Sequence, residues 1–346
     1  MHIVQVTQSY PPSQGGVENH VEAISTRLCK RGHEVTVISA DRGVGKRCEV
    51  RDGVTIHRYK SVSPGGVYHL SPQVALSIKK CGPDVVHAHN YHALLLPFAA
   101  AGAHSSRLII TPHYHGGSES EFRERLLRLY HPIGKHVLNI ADAVVSVSEW
   151  ESKKIHDDFG IETEVIPNGI NLEAFLDTTS YGHEQQYLLC VGRLEKYKGI
   201  QDVIRSISGL SDYDLLIAGS GPYRDQLKKV AKNVDVADRV HFLGYVSDNV
   251  LPSLYRGAEV FISLSSFESF GLTVGEALAA GTPCLVFRRG ALLDWESYEG
   301  VTGIDTKEPE DVINGIVQAE SLSPCPQSVP RWDEHVDKLE KLYLGE

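Results

Sequence analysis

Short runs of β-branched and aliphatic residues alternate along the whole chain with segments whose apolar positions recur every three or four residues. That alternation predicts βα units and parallel sheets. In the first half the expected strands are residues 2–6, 35–39, 84–89, 108–111 and 143–147. Between the first two, Val17, Val21, Ile24 and Leu28 form one apolar stripe of a helix, which Gly32 stops. A second set starts near Tyr187, with strands at 187–191, 214–218, 240–243, 260–263 and 283–287. Helical patterns follow at 200–207, 223–232, 249–255 and 272–280. The two sets do not align residue for residue, so the expectation is a repeated architecture rather than a sequence repeat. Pro and Gly in Pro167-Asn168-Gly169-Ile170-Asn171, and the polar run 177–186 behind them, mark the expected linker. The chain thus divides into a first domain, 1–170, and a second, 171–330. The closing segment 331–344 carries Trp332, Val336, Leu339, Leu342 and Tyr343 at helical spacing. Its periodicity does not say which half it packs on.

Composition narrows the class. The 346 residues suffice for two domains with their own cores, and 42% hydrophobic with 23% charged residues is ordinary globular usage. A formal charge of −10 argues against general nucleic-acid binding, which favours a basic excess. The N-terminus runs straight into a strand pattern with no secretory signal, and no apolar run is long enough to span a bilayer. The six cysteines are scattered without a C-x-x-C pair, as expected for reduced core residues, so a cytoplasmic protein is expected.

Candidate chemistry gathers where predicted strands hand over to helices. The loop 10–17 carries Gly15 and Gly16 at the start of the first helix, where backbone can approach a ligand and the helix N-terminus favours an anion. A simple strand-to-helix turn explains it equally, and it is not the G-x-G-x-x-G of a dinucleotide site. In Gly192-Arg193-Leu194-Glu195-Lys196-Tyr197-Lys198-Gly199, Arg193 and Lys198 follow a predicted parallel strand, a fork donor and a point charge suited to a diphosphate. Solvated loop cations are the alternative. Gly219 and Gly221, after the next strand, would let backbone pass near a base or ribose. The stretch from Ser265 to Ala277 is the most informative. Its loop carries Glu268, able to accept from sugar hydroxyls, and Ser269. Backbone N–H groups of Phe270, Gly271, Leu272 and Thr273 would face out of a helix N-terminus toward a phosphate. Glu276, one turn in, could take a ribose diol or simply complement the helix dipole.

Glu268 and Glu276, seven residues between them, resemble the E-x7-E signature of retaining GT-B glycosyltransferases. ESFGLTVGEALAAGTPC around them is similar to glycosyltransferase family 4. The Gly15-Gly16 loop, PNGIN at 167–171, GRLEKYKG at 192–199 and AGSGP at 218–222 fall in that family's order, so the resemblance spans nearly the whole chain. It implies an α/β GT-B fold of two Rossmann-like domains with a deep interdomain cleft, the last helix crossing back to the first domain. It implies a nucleotide-diphosphate-sugar donor, UDP- or GDP-linked, no cofactor, no metal, and retained anomeric configuration. By the same resemblance Arg193 and Lys198 hold the diphosphate, Glu268 the donor sugar and Glu276 the ribose, while Gly16 approaches the donor from the first domain. Thr111-Pro112-His113 is similar to the family's T-x-H, which makes His113 the candidate near the anomeric centre, with His115 as its rival. Asn168 and Tyr245 complete the candidate substrate contacts, with backbone near Gly244 and Tyr245 placed for a base.

Two features stand apart. Where the family often has Gly-Gly-x-x-Glu, this chain has Arg288-Arg289-Gly290-Ala291-Leu292-Leu293-Asp294, which removes the usual basis for a contact there. In 122–137, Phe122, Leu126, Leu127, Leu129, Tyr130, Ile133 and Val137 interleave with Arg123, Arg125, Arg128, Lys135 and His136. That segment suits an anionic membrane surface or a packed helix with a basic outer face. The expected activity is hexosyl transfer to an acceptor hydroxyl on a sugar or lipid-linked acceptor, in lipid-linked glycan, polysaccharide or glycoconjugate synthesis. A GT-B sugar-nucleotide epimerase and a non-catalytic partner subunit are the alternatives.

Overall fold

The computed structural model describes residues 1–13, 15–41, 47–62, 68–117, 121–176 and 178–346. Gln14 of the first glycine loop and Asp177 of the linker therefore lie outside the described residues. The described chain forms two compact units, Met1–Asn168 with Trp332–Glu346, and Gly169–Arg331. Each is an α/β unit with a largely parallel sheet, as expected of two Rossmann-like halves.

The first unit holds β1 (His2–Thr7), β2 (Glu34–Ser39), β3 (Arg47–Arg51), β4 (Val54–Arg58), β5 (Val85–His89), β6 (Arg107–Thr111), β7 (Ala143–Ser146) and β8 (Glu164–Val165). Their order is β3-β4-β2-β1-β5-β6-β7-β8, parallel except where β3 runs against β4. Strands covered on both faces are apolar almost throughout, and β1, β2 and β5 are buried over nearly every residue. In β4, next to the edge, buried and half-buried positions alternate. β3 and β4 were not expected. They form a hairpin whose two-residue turn, Asp52-Gly53, has both residues at positive φ, the geometry that Asp-Gly favours. The helix Gly16–Lys30 buries Val21, Ile24 and Leu28 against Val336, Leu339 and Tyr343 of the last helix, Trp332–Leu344. The closing segment thus belongs to the first unit's core.

The second unit holds β9 (Gln186–Val191), β10 (Tyr213–Ala218), β11 (Val240–Gly244), β12 (Val260–Ser263), β13 (Cys284–Phe287) and β14 (Val301–Ile304). The order β11-β10-β9-β12-β13-β14 is parallel throughout. All ten expected strands are present with bounds within one residue, while β8 and β14 were missed. In this sheet the chain winds outward from β9 to β10 and β11, then returns to β12 on the other side. Loops leaving adjacent strands in opposite directions open a crevice at the carboxyl edge, where such sheets bind ligands. In the first unit the same reversal falls between β1 and β5. Among the described residues no helix is long and apolar enough to cross a membrane.

Candidate functional site

In the second unit the loops after β9 and β12 meet at that reversal. Gly199, at φ +72°, lies so close to Leu264 that a β-carbon would sit 2.4 Å from the Leu264 carbonyl oxygen, so only glycine lets the loops touch. Ser266 N–H donates to the Tyr197 carbonyl at 2.9 Å, a second tie between them. The result brings Lys198 Nζ to Glu268 Oε1 at 2.5 Å, seventy residues apart in sequence. These side chains are only 21% and 19% exposed. Burial pulls the Lys198 ammonium down, but the Glu268 charge outweighs it, so its pKa is raised and the lysine stays charged. Arg193 differs. Its side chain is 72% exposed and paired loosely with Glu195 at 3.3 Å, free to swing toward an anion.

The helix Leu272–Ala279 begins beside this pair, with Gly271 at φ +92° as its N-cap. Its N–H groups at 272 and 273 lack intrahelical acceptors by position, as at any helix start. What holds the loop ahead of it is the segment 288–297, where the expected glycine pair is missing. Ala291 N–H donates to the Glu268 carbonyl at 3.1 Å, and Trp295 Nε1 donates to the Phe270 carbonyl at 2.6 Å. Arg288 turns away to Glu296 and Asp305. The departure from the family pattern thus supplies a scaffold for the Glu268–Gly271 loop. Trp295 was not singled out from the sequence, and an indole that must find an acceptor is the signal that marks it.

Glu276 lies one turn into the helix, and Tyr255 Oη donates to its Oε2 at 2.7 Å. Burial raises its pKa to about 7; the Tyr255 hydroxyl opposes this and Asp248 adds to it. Gly219 and Gly221 serve the fold more directly than expected. A β-carbon on Gly219 would meet the Gly192 carbonyl oxygen at 1.9 Å, and one on Gly221 the Leu194 carbonyl oxygen at 2.3 Å. The close approach is to the Arg193 loop, which these glycines seat. Tyr245 stands at the end of β11 with its ring largely exposed, and Phe270 is buried against Trp295.

In the first unit Gly15 and Gly16 start the helix Gly16–Lys30, and the Glu18 carboxylate folds back to the Ser9 hydroxyl and Gln8 amide. His113 follows β6 at φ +47°, a conformation that costs a bulky residue about 1–3 kcal/mol and marks sites where geometry is imposed. Glu151 imposes it from behind. Its carboxylate accepts from the backbone N–H of Tyr114 and, at 2.7 Å, of Val147. The two candidate histidines part company here. His115 stacks on His92 with ring centres 4.0 Å apart, whereas His113 turns into a buried group with His20, His89 and His335. Burial lowers His113 to about 3, with His335 adding to the effect, so the imidazole is neutral. Asn168, expected to meet substrate, is buried and accepts from His20 Nδ1 at 2.7 Å. Its oxygen is committed to orienting that ring.

The helix Glu121–Asn139 buries Tyr130, Gly134, Val137 and Leu138 and leaves Phe122, Leu129 and Ile133 exposed, continued by Ile140 just beyond its end. Arg125, Arg128, Lys135 and His136 are exposed around that apolar stripe. Trp332–Leu344 aside, each unit also matches a known family. Residues 14–174 match the model described as Glycosyltransferase Family 4, and residues 177–329 match Glycosyl transferases group 1. The chain belongs to the family-4 type of GT-B glycosyltransferases and is a glycosyltransferase. It is 29% identical to an uncharacterized glycosyltransferase of Methanocaldococcus jannaschii, over 91% of this chain and 88% of that one. It is also 29% identical to a glycogen synthase of Mycobacterium tuberculosis, over 96% and 88% of the two chains. Among solved structures, Anabaena HepE in complex with UDP and glucose superposes with a TM-score of 0.80 at 16% identity, covering 99% of both chains.

Proposed function

We propose that the protein moves a hexose-type unit from a UDP- or GDP-sugar to an acceptor hydroxyl, with retained configuration and without a metal on the diphosphate. The observation that carries this reading is the half-buried Lys198–Glu268 pair beside the start of the helix Leu272–Ala279. A departing diphosphate develops charge that Lys198, exposed Arg193 and the backbone N–H groups at 270–273 can meet in place of a divalent ion. Glu268, relieved of Lys198 when a phosphate takes the ammonium, accepts from donor-sugar hydroxyls. Glu276, its second oxygen held by Tyr255, takes the ribose diol. In the first unit, His113 is assigned a substrate contact as a neutral, rigidly held imidazole, and Gly15 and Gly16 a backbone approach. HepE's recorded complex with UDP and glucose lends weight to a uridine donor, and the glycogen synthase relative to a carbohydrate acceptor. The exposed stripe on the helix Glu121–Asn139 favours an acceptor presented at an anionic membrane surface.

Thermal-shift screening against UDP-, GDP- and ADP-hexoses tests the donor, because a ligand at a hundred times its Kd stabilises by about 2.7 kcal/mol. A shift with a uridine or guanosine donor, followed by sugar transfer only when acceptor is added, is the expected result. No shift with any member would end the donor reading, and donor turnover without acceptor would favour an epimerase.

A further inference from the structure

The first unit contains a buried histidine group of which only His113 has a part in the proposed sugar transfer. His20, His89 and His113 are fully or almost fully buried, and each offers one ring nitrogen to a common point, the three lying within 4.8 Å of one another. His335 packs beside them. Tautomers decide what these nitrogens can do. His20 Nδ1–H donates to Asn168 Oδ1 at 2.7 Å, which leaves Nε2 as a bare lone pair. His335 Nδ1–H donates to the Pro167 carbonyl at 2.8 Å, which again leaves Nε2 bare.

His89 is fixed by a longer chain with one consistent direction. Its Nε2–H donates to Gln5 Oε1 at 2.8 Å, and Gln5 Nε2 donates to Tyr343 Oη at 3.3 Å. The Tyr343 hydroxyl donates to His87 Nδ1 at 2.7 Å, and His87 Nε2–H to Thr111 Oγ1 at 2.7 Å. His89 Nδ1 is therefore also a lone pair without a donor, and His113 Nε2 is buried with no partner. Bare imidazole nitrogens facing one another in a dry interior repel, and each leaves a desolvated acceptor unmet. One water has only two protons to give to them. A cation with several acceptor positions satisfies them together.

We propose that His20 Nε2, His89 Nδ1 and His113 Nε2 bind a divalent transition metal of the kind imidazole prefers, zinc foremost, with water completing its coordination. The spacing fits. With metal–nitrogen bonds of about 2.0–2.1 Å and tetrahedral angles, imidazole centres in such a site stand about 5.2 Å apart. The observed separations are 4.8 Å for His20–His113, 5.2 Å for His20–His89 and 5.8 Å for His89–His113. Asn168 and Gln5 then act as the outer groups that accept the other ring N–H of His20 and His89 and aim those ligands, the usual support of a histidine metal site. The ion would tie together the helix Gly16–Lys30, β5 and the turn after β6. It shares only His113 with the proposed substrate contacts, and metal content is read without any donor, so its failure and that of the donor reading are distinguishable.

The test is metal content. Protein expressed in zinc-supplemented medium is desalted and its metal measured, in a His183→Gln background, because His183, Asp214 and His241 form a separate, partly buried group able to hold zinc. One zinc per chain, replaceable by cobalt with a tetrahedral visible spectrum, is the expected result. Chelator should lower the Tm, and zinc should restore it. His20→Gln and His89→Gln should each lose the ion; if one of them fails to fold, the unsubstituted background's content and chelator response still decide. No retained metal with an unchanged Tm would overturn the proposal and leave the nitrogens to water, as would equal retention by a folded His20→Gln protein.

Discussion

The two units share an architecture yet keep opposite kinds of polarity at their carboxyl edges. The first gathers neutral rings: His20, His87, His89, His113 and His335 are all buried, and burial above all lowers every one of their pKa values. The second keeps charge: an ammonium on a carboxylate at Lys198 and Glu268, and at Glu276 a carboxyl that burial poises near neutrality. Neutral rings suit a rigid interior, where they cost far less to desolvate than charges do. A largely buried ion pair at a loop edge suits the proposed exchange of one anion for another.

That contrast is most easily broken at Lys198. Lys198→Ala should lower turnover by about 10²–10³-fold, the loss typical of a preorganised transition-state donor. Near-normal activity in a folded variant would make the pair merely structural. The next test is acid. The unfolded histidines titrate near 6.5, His113 has fallen to about 3 and His335 to about 4 in the fold. The unfolded chain then binds more protons between those values, so the stability they confer is complete above pH 6.5 and is lost as pH falls toward 3–4. For His335 alone the difference is about 3 kcal/mol. Peptide-resolved hydrogen exchange on chelator-treated protein, corrected for intrinsic rates, should show the first unit opening at a higher pH than the second. Simultaneous opening would contradict the comparison.

Glu276→Gln has a smaller, two-sided effect. Losing a hydrogen bond to a charged group should weaken donor binding by about 1.5–3 kcal/mol and flatten its pH dependence near 7. A raised carboxyl pKa makes the opposite sign for stability: the contribution is present below the unfolded value and lost as pH rises through about 7. The variant should therefore be more stable than the parent at alkaline pH while binding donor less well, and titration calorimetry beside thermal melts reads both. The weakest effect belongs to the stripe on Glu121–Asn139. The protein should sediment with anionic vesicles and be released by salt, and Leu129→Asp should reduce it several-fold. Equal recovery with neutral vesicles would argue against a membrane role.

The ten strands that were legible are those with long apolar runs, because a doubly covered parallel strand leaves a strong pattern. β3 and β4 escaped notice although Asp52-Gly53 is a hairpin signal, since their flanks, Arg47 to Arg51 and Val54 to Arg58, mix charge with apolar residues. The loop carrying Glu268 was legible through its spacing to Glu276. What supports it was not, because Trp295 and Tyr255 act through single hydrogen bonds that leave no period in the sequence. The histidine group was the least legible of all. Its members come from residues 20, 87, 89, 113 and 335, and only the fold brings those distances to a few ångströms.

The return of Trp332–Leu344 to the first unit has a consequence for synthesis. Translation supplies the first unit's sheet early, then all of the second unit, and only afterwards the helix bearing Trp332, Val336, Leu339 and Tyr343. Until that helix leaves the ribosome, Gln5 and His87 lack the Tyr343 hydroxyl that joins them. The half begun first is the half finished last.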